Sequence, residues 1–572
     1  MLKIERVRTG LTIVMLALAP AVLLAQEADT VYVNGNVYTV DDVFGTASAF
    51  AVKDGAFIYV GDDAGAREHA GPLTFVVDLE GKTVIPGLHD AHIHIRFGER
   101  ELYPRIPDIR SSIGEWASVA RMQDVVRRSL ATGAGMRPGP EPRWLVLRGW
   151  MSDVWEPPVW QKELIDAVAP DNPVYIIRYT HGSAANSKAL ELAGITRETA
   201  DPEGGHIKKD ENGDPTGEFV ERAPPQLLGL IPPMPPMTDY ELSRNLVEGT
   251  QLAVASGLTT LHGASSGTSY DDVLRELKLY EVGLLRVRIN QMVNVDTAMK
   301  MGGPLNYENR FFVQSVKTLL DGALGSRGAH FLEEYADYPD FYGEPRSSED
   351  KTTRTAIDLL KLGFNMRIHT IGDAANRIAL NAFEGALQQT GKNGRDVRFA
   401  LEHAQVLTPE DITRLAELGV IASMQPLHAT EDMHFAEARL GPERMQGAYI
   451  WKTLLENDVV VATGTDYSVS PYNPFYTLHA AVTRQDRDNN PPGGWFPEEA
   501  LSREEALRAA TMAGAYAMHA EDILGSIEVG KLADFVVIPV DYMTVPAGDI
   551  WKIEPDMTVI GGAVVYSRPA TN

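Results

Sequence analysis

The middle of this 572-residue chain alternates apolar segments with amphipathic ones, and this alternation constrains the fold more than any other feature. Strands are predicted at 144–147, 174–177, 259–261, 312–319, 365–368, 398–401, 420–424 and 459–462. Helices are predicted between several of them, at 351–362, 374–389 and 409–417. Such β–α alternation predicts a parallel sheet, either closed into a barrel or open and doubly wound. No glycine-rich phosphate loop follows any of these strands, which disfavours a dinucleotide-binding open sheet.

Both ends of the chain have a different pattern, with short alternating strands and turn signals. Asn34-Gly35 and Asp54-Gly55 each lie between two such strands, and each pair predicts a β-hairpin. The same pattern returns at 533–538 and 562–566. Because chain termini usually lie close together at a protein surface, we expect one small β-sandwich domain formed by both chain ends.

The length of the middle segment indicates an insertion. About 430 residues separate Gly87 from Ala517, which exceeds the ~250 residues of a plain (β/α)8 barrel. A closed sheet would make this an α/β fold with a (β/α)8 TIM barrel, an insertion and the β-sandwich, and the open doubly wound sheet is the alternative at this point. The expected divisions are a signal peptide at 1–25, the sandwich at 26–85 and 518–572, and the barrel at 86–517 with the insertion at about 100–240.

The N-terminus resembles an export signal. Lys3, Arg6 and Arg8 precede an apolar run at 11–24, which ends at Ala25. A basic region, an apolar region and a small residue at the boundary are typical of a secretory signal peptide. We expect cleavage after Ala25 and export to the periplasm, without stable membrane insertion of the mature chain. An uncleaved anchor is the alternative, although the run is short for a span of ~20 residues.

Charge and cysteine content narrow the partners. With 52 basic and 78 acidic residues the net charge is -26, which disfavours nucleic acid as a partner. The chain has no cysteine, so disulfides, thiolate metal ligands and a cysteine nucleophile are excluded. A metal would be held by nitrogen and oxygen, which suits zinc, manganese or iron. A small-molecule substrate and a homo-oligomer are both compatible with this composition.

Several potential ligands follow or end predicted strands. In a (β/α)8 barrel, functional residues gather at the carboxyl ends of the strands. His92 and His94 share one face of the first extended segment, because alternate residues of a strand point the same way. The full set is His92, His94, Lys317, His369, His403 and Asp466.

Each member of this set also has a simpler explanation. A single histidine at a strand end is more often a hydrogen-bonded structural residue than a ligand. Lys317 could extend its amine toward solvent, and Asp466 could cap a helix. His262 and His428 are rivals for any of the histidine positions. The joint order of His-X-His, Lys, His, His and Asp nevertheless predicts a metal site.

The order of these motifs resembles the amidohydrolase superfamily, in a family 3 type branch similar to N-substituted formamide deformylase. That superfamily comprises metal-dependent hydrolases on a (β/α)8 barrel. The matching stretches are PGLHDAHIHI at 86–95, the segments at 172–190 and 204–219, VKTLLDGALGSRGA at 316–329, RIHTIGDAANR at 367–377, EHAQ at 402–405, TGTDYSVSPYNP at 463–474 and GSIEVGKLADFVVI at 525–538.

The resemblance implies a role for each ligand. His92 and His94 would hold the more buried metal together with Asp466. Lys317 would become a carbamate that bridges two metals, and His369 and His403 would hold the second. This implies one or two divalent ions per chain, with zinc preferred. A free ammonium has no lone pair for a cation, so Lys317 can join the site only when modified or as a substrate-binding group.

The implied activity is hydrolysis of an amide-type, non-peptide carbon–nitrogen bond of a small molecule by metal-activated water, with Asp466 as the catalytic proton carrier. The same site could instead serve a lactonase, an esterase or a deaminase. A non-catalytic periplasmic binding protein with a degenerate barrel is the alternative from another class. We also hypothesise that Trp150, Trp155 and His181 of the insertion line or cover the substrate cleft.

Overall fold

The computed structural model describes residues 26–110, 118–150, 160–178 and 182–569. The predicted signal peptide, Trp155 and His181 lie outside these residues. Within them, no helix combines the length and the apolar character that crossing a membrane requires.

The secondary-structure elements are numbered in chain order. The strands are β1 Thr30–Val33, β2 Asn36–Tyr38, β3 Thr46–Ala47, β4 Ala49–Lys53, β5 Ala56–Gly61, β6 Phe75–Asp78, β7 Thr83–Pro86, β8 Leu88–Ile93, β9 Leu145–Trp150, β10 Val174–Arg178, β11 Ser183–Ala185, β12 His206–Lys209, β13 Pro215–Val220, β14 Leu258–Gly263, β15 Arg288–Val293, β16 Leu305–Tyr307, β17 Phe311–Leu319, β18 Asn365–Thr370, β19 Ala400–His403, β20 Ile421–Met424, β21 Val461–Thr463, β22 Phe535–Ile538, β23 Met557–Ile560 and β24 Ala563–Ser567. The α-helices are α1 Asp63–Glu68, α2 Val119–Thr132, α3 Glu163–Asp166, α4 Ser187–Ala193, α5 Pro225–Leu228, α6 Asp239–Ala255, α7 Tyr270–Glu281, α8 Val295–Met301, α9 Glu349–Leu362, α10 Asp373–Thr390, α11 Gly394–Val397, α12 Pro409–Leu418, α13 Pro426–Asp432, α14 Ala436–Arg444, α15 Trp451–Glu456, α16 Pro474–Thr483, α17 Arg503–Ala509 and α18 Met512–Ala517. A π-helical turn covers Gly98–Leu102, and short 3-10 turns cover Met445–Gly447, Pro497–Glu499 and Ala547–Lys552.

The barrel is a nearly closed ring of parallel strands. In the described part of the chain, eight strands follow one another in the order β8, β14, β15, β17, β18, β19, β20 and β21. Helices between them pack on the outside, with α9 and α10 flanking β18. This arrangement confirms the predicted (β/α)8 barrel.

The ring is completed where β8 meets the segment after β21. The Asp466 N–H donates to the His92 carbonyl at 2.7 Å, and the His94 N–H donates to the Tyr467 carbonyl at 2.6 Å. A Cβ at Gly464 would lie 2.4 Å from the His92 nitrogen, so glycine is needed for this approach. Chain closure therefore places Asp466 directly beside the His-X-His pair.

One barrel strand was not singled out from the sequence. In β15, Arg288, Asn290 and Gln291 interrupt the apolar pattern, although every residue of the strand is buried. The Arg288 guanidinium forms a two-point ion pair with Asp534, at 2.7 and 2.8 Å. A buried charge with a distant partner hides a core strand from a search for apolar runs.

The two chain ends form the predicted β-sandwich. One sheet has the order β5–β4–β1–β6, and the other joins both ends in the order β24–β23–β22–β7–β2–β3. Between them Phe535 packs against Phe50 and Tyr32, with ring centroids 4.9 and 5.1 Å apart. Burial of these large rings stabilises this small domain.

One of the two predicted hairpins is wrong. β1 pairs with β4 and β6, whereas β2 pairs with β3 and β7, so the turn at Asn34-Gly35 passes from one sheet to the other. The Gly35 N–H donates to the Ser48 carbonyl, and the Asn36 N–H donates to the Lys82 carbonyl. These bonds replace the pairing of β1 with β2 that a hairpin would have. The hairpin at Asp54-Gly55 is confirmed by the antiparallel pairing of β4 with β5.

The insertion between β8 and β14 contains its own mixed sheet, in the order β12–β13–β11–β10–β9. Trp150 is fully buried, and its ring centroid lies 4.8 Å from that of Trp160. Its Nε1 donates to the Ile176 carbonyl at 3.2 Å. Trp150 thus belongs to the core of the insertion and is not among the described residues that line the main cavity.

Candidate metal centre

The predicted ligands converge at the carboxyl ends of the barrel strands. They come from β8, β17, β18 and β19 and from the segment after β21, and they surround a cavity of about 410 Å³. The cavity is lined by all six of them, namely His92, His94, Lys317, His369, His403 and Asp466. Strand ends that are hundreds of residues apart in sequence meet because the sheet closes.

The first donor group combines the His-X-His pair with the aspartate. Nε2 of His94 lies 3.1 Å from Oδ1 of Asp466, and Nε2 of His92 lies 3.5 Å from the same oxygen. The donor atoms of the three residues all lie within 4.8 Å of one another. This spacing is suitable for one ion bound by two imidazoles and a carboxylate.

A second donor group shares Asp466. His403 and His428 present ring nitrogens within 4.8 Å of each other and of an Asp466 oxygen. Nε2 of His428 lies 3.6 Å from Oδ2 of Asp466. In the sequence, His428 was only a rival candidate, since it lies four residues beyond β20, on α13, and follows no strand directly.

His369 lies at the cavity wall but outside both groups. Its ring centroid is 4.5 Å from that of His403. Its Nε2 lies 3.5 Å from the Gly322 carbonyl and 3.5 Å from Oδ1 of Asp321. The other rival, His262, is buried away from the cavity, where it contacts His89.

Lys317 is buried beside the first group, with Nζ 3.5 Å from Nε2 of His92. Burial lowers the pKa of Lys317 to about 8, although Glu402 and Asp466 favour its charged form. A lysine in this state exists partly as the neutral amine near neutral pH. Only the neutral amine has the lone pair that a nucleophilic nitrogen needs.

Two buried side chains orient the ligand histidines. Nδ1 of His92 donates to Glu402, which also pairs with Arg367 at 2.5 Å. Nδ1 of His403 donates to Oε1 of Gln425 at 2.6 Å. In each ring the bonded Nδ1 leaves Nε2 directed into the site, which is how metal-binding imidazoles are usually held.

The same contacts set the charges of the site. Burial opposes ionisation of Glu402, but Arg367, His92 and Lys317 hold the pKa of its carboxyl well below its usual value. The neighbouring histidines likewise keep the pKa of Asp466 low against the effect of burial. Burial and Lys317 lower the pKa of His92 to about 4. At neutral pH the site therefore presents a neutral His92 imidazole beside the ionised carboxylates of Glu402 and Asp466.

The donor set fits a divalent cation. Its nitrogen and oxygen donors are of the kind that zinc and manganese accept. Nε2 of His428 is buried and makes no hydrogen bond to any residue that the structure describes. A buried nitrogen without a partner is unfavourable unless another group binds it, and a metal ion would satisfy this requirement.

Asp90, next to the His-X-His pair, holds the loop after β21. Its Oδ1 accepts from the Thr465 backbone at 3.0 Å and its Oδ2 accepts from the Thr465 hydroxyl at 2.5 Å. Glu402, Gln425 and Asp90 are the supporting residues of the site. Of these, only Asp90 could be suggested from its place in the His-rich motif.

Comparison with known proteins agrees with this geometry. The protein named LONG AFTER FAR-RED 3 of Arabidopsis thaliana is 30% identical over 561 residues, which cover 94% of this chain and 92% of that protein. N-substituted formamide deformylase of Arthrobacter pascens is 26% identical over 580 residues, which cover 95% and 99%. The crystal structure of an uncharacterized metal-dependent hydrolase from Pyrococcus furiosus is 26% identical, with a TM-score of 0.65 and coverage of 90% and 100%.

The family profile described as "Amidohydrolase family" matches residues 76–566, which include both donor groups and strands of the sandwich. The match therefore covers the barrel with its insertion and strands from both parts of the sandwich, and this protein belongs to the amidohydrolase family.

Proposed function

We propose that the protein hydrolyses an amide-type, non-peptide bond such as that of an N-acyl or N-formyl amine, and that Asp466 carries the proton. Membership of the amidohydrolase family makes the protein a hydrolase of carbon–nitrogen bonds in small molecules. The observation that carries the finer proposal is the position of Asp466, whose two oxygens face different donor groups. The activity of the deformylase relative is consistent with it.

The residues divide the reaction between them. A divalent cation in this site supplies positive charge that lowers the pKa of water toward ~7 and polarises a substrate carbonyl. The Asp466 carboxylate, ionised because its pKa is low, accepts a proton from the attacking water. It then delivers that proton to the departing nitrogen, which leaves as a neutral amine.

We propose that zinc is the ion and that one or two are bound, with the two donor groups as the binding positions. His92, His94 and Asp466 would hold the first ion. His403 and His428 would hold the second, with His369 close enough to join after a change of its side-chain orientation. Sharing of the Asp466 carboxylate would keep the two positions adjacent.

Lys317 supports the two-ion form. Its neutral amine can attack carbon dioxide, forming a nitrogen–carbon bond and releasing one proton to solvent. The resulting carbamate replaces a cation with an anion that offers two oxygen donors. The burial of Lys317 and its pKa of about 8 favour this reaction.

We further propose that the protein is exported, on the basis of the basic and apolar segments within residues 1–25. The partner we expect in the periplasm is a small-molecule substrate. Homo-oligomer formation stays a prediction.

The central test combines metal analysis with a hydrolysis screen over N-acyl and N-formyl amines, amino-acid amides and lactones. The proposal expects stoichiometric zinc and amine release from an amide. Lactone opening without amide cleavage would contradict the substrate assignment. Ammonia release from a ring, without chain cleavage, would indicate a deaminase instead.

Replacement of the proton carrier gives the largest catalytic effect. Asp466→Asn keeps an oxygen donor but removes the base, so turnover should fall by ~100- to 10,000-fold. Metal content should be largely retained, as measured by mass spectrometry of the purified protein. The matched control is Asp458→Asn at an exposed position after α15, which should leave turnover unchanged. Undiminished turnover of Asp466→Asn would refute the assigned role.

A further inference from the structure

The cavity wall formed by helix α13, which follows β20, has two adjacent acidic side chains with different surroundings. Glu431 and Asp432 end helix α13 and both line the cavity. Oδ2 of Asp432 accepts hydrogen bonds from the Tyr449 hydroxyl at 2.6 Å and from Nε2 of Gln405 at 3.1 Å. The protein itself therefore satisfies this oxygen of Asp432.

Glu431 has less support from the protein. Its Oε2 accepts one hydrogen bond, from the buried Ser470 hydroxyl at 2.7 Å. Among the residues that the structure describes, its Oε1 has no hydrogen-bond partner, and no cation lies within ion-pair distance of the carboxyl. Ser470 thus fixes the orientation of the carboxyl and leaves one oxygen for a group in the cavity.

The nearest arginines are bound elsewhere. Arg110 pairs with Asp108 at 2.7 Å, and Arg487 lies over the ring of Tyr476, 4.9 Å from its centroid. Both act on Glu431 only through space, and burial raises the pKa of this carboxyl to about 8. A partly buried carboxyl that pairs with no cation of the described residues is unfavourable in its charged form, so a cation from outside the protein would relieve this cost.

The position of Glu431 relates it to the metal centre. Glu431 follows His428 by three residues on α13, and residues three apart on a helix lie on one face with Cβ atoms roughly 5–6 Å apart. His428 in turn faces Asp466. A group bound by Glu431 would therefore lie about one helical turn from His428, which belongs to the second donor group.

We propose that Glu431 binds an ammonium group of the substrate, so that the preferred substrates are amides with a primary or secondary ammonium a few bonds from the scissile nitrogen. The proposal rests on the amide hydrolysis proposed above. An ammonium donating to Oε1 forms a charge-assisted hydrogen bond, which is stronger than a neutral one. Asp432, already bonded to Tyr449 and Gln405, adds negative potential at the same wall.

The test compares two substrates of equal size. N-formylethylenediamine has a terminal ammonium where N-formylpropylamine has a methyl group. We expect wild-type kcat/KM to be about 10- to 100-fold higher for the cationic substrate, because a hydrogen bond to a charged group contributes about that factor. Glu431→Gln should remove this preference, so that the ratio of kcat/KM for the two substrates falls to about one.

The glutamine variant also separates two roles of Glu431. A neutral carboxylic acid whose carbonyl oxygen accepts the hydrogen bond is imitated by the amide oxygen of glutamine, and the substrate preference would then persist in Glu431→Gln. That result would overturn the proposal. Glu443→Gln, at an exposed position on α14, is the matched control and should behave as wild type.

The remaining outcomes distinguish this proposal from the one on which it rests. Equal hydrolysis of both substrates by the wild-type protein would refute the role of Glu431 and leave amide hydrolysis intact. Failure to hydrolyse either compound, together with every other amide of the screen, would refute the proposed function itself.

Discussion

The sandwich core and the metal-centre end of the barrel are both buried, but they are built from opposite kinds of residue. In the sandwich, the rings of Phe50, Phe57 and Phe535 pack together with Tyr32 through apolar contacts. At the strand ends, Glu402, Arg367 and Lys317 are buried within a network of charge pairs. Burial of apolar rings stabilises a fold, whereas burial of charges contributes little net stability and is retained for chemistry.

This difference predicts a separation of effects. Substitutions in the sandwich should change the free energy of unfolding and leave turnover of the folded protein intact. Substitutions around the ligands should change metal affinity or turnover more than stability. Three measurements test this separation, in addition to the variants of Asp466 and Glu431.

The largest effect on stability is expected from Phe535→Ala. This change removes the ring that contacts Tyr32, Phe50 and Phe57, and truncation of a buried phenylalanine costs about 3–5 kcal/mol. Denaturant unfolding should show this loss, while kcat per folded molecule stays constant. The control Phe75→Ala, on the exposed edge strand β6, should change stability by less than about 0.5 kcal/mol. A parallel loss of kcat in Phe535→Ala would break the separation.

A smaller effect is expected at the support of His403. Gln425→Met removes the acceptor that orients Nδ1 of His403. Loss of such a partner typically lowers metal affinity or activity about 10- to 100-fold. Competition with a chelator measures the affinity, and Gln388→Met at an exposed position of α10 is the control. Unchanged affinity would show that the ring is held by packing alone.

The smallest effect is expected in the pH dependence of the free energy of unfolding, and it comes from His89. His89 lies in β8 and is fully enclosed, and burial lowers its pKa from 6.5 to about 4. As pH falls, His89 binds a proton in the unfolded chain near pH 6.5 but in the folded protein only near pH 4. The contribution of His89 to stability is therefore present above pH 6.5 and is lost as pH falls toward 4.

Between about pH 8 and pH 5.5, this group alone should reduce the free energy of unfolding by about 1 kcal/mol. The difference in pH slope between wild type and His89→Gln, taken from unfolding curves, measures it. Equal slopes would contradict this prediction, because they would show that His89 binds a proton as readily in the folded protein as in the unfolded chain.

Much of the architecture could be predicted from local patterns. Strand periodicity located β17 and β18, and the helices α9, α10 and α12 begin and end within two residues of the predicted limits. These signals are local, since alternation and helical periodicity act over a few residues. The wrong hairpin at Asn34-Gly35 shows the limit, because a turn signal does not specify which sheet the next strand joins.

The candidate site was predicted only in part, because only some of its residues have a local sequence signal. His92, His403 and Asp466 stand at strand ends, where the sequence pattern and the barrel rule agree. His428 and Gln425 follow β20 without any local signal that distinguishes them from other polar residues. Their roles depend on distances to His403 and Asp466 that only packing defines.

The sequence by itself determined the strand-and-helix alternation, the absence of thiolate chemistry and the types of residue available as ligands. The tertiary structure decided which of the histidines share a carboxylate, that His428 joins them, and that Glu431 faces the cavity with one free oxygen. The physical reason is that residue type and periodicity are local properties of the chain. Shared coordination and burial arise only when the β8 and β21 ends of the barrel are brought together.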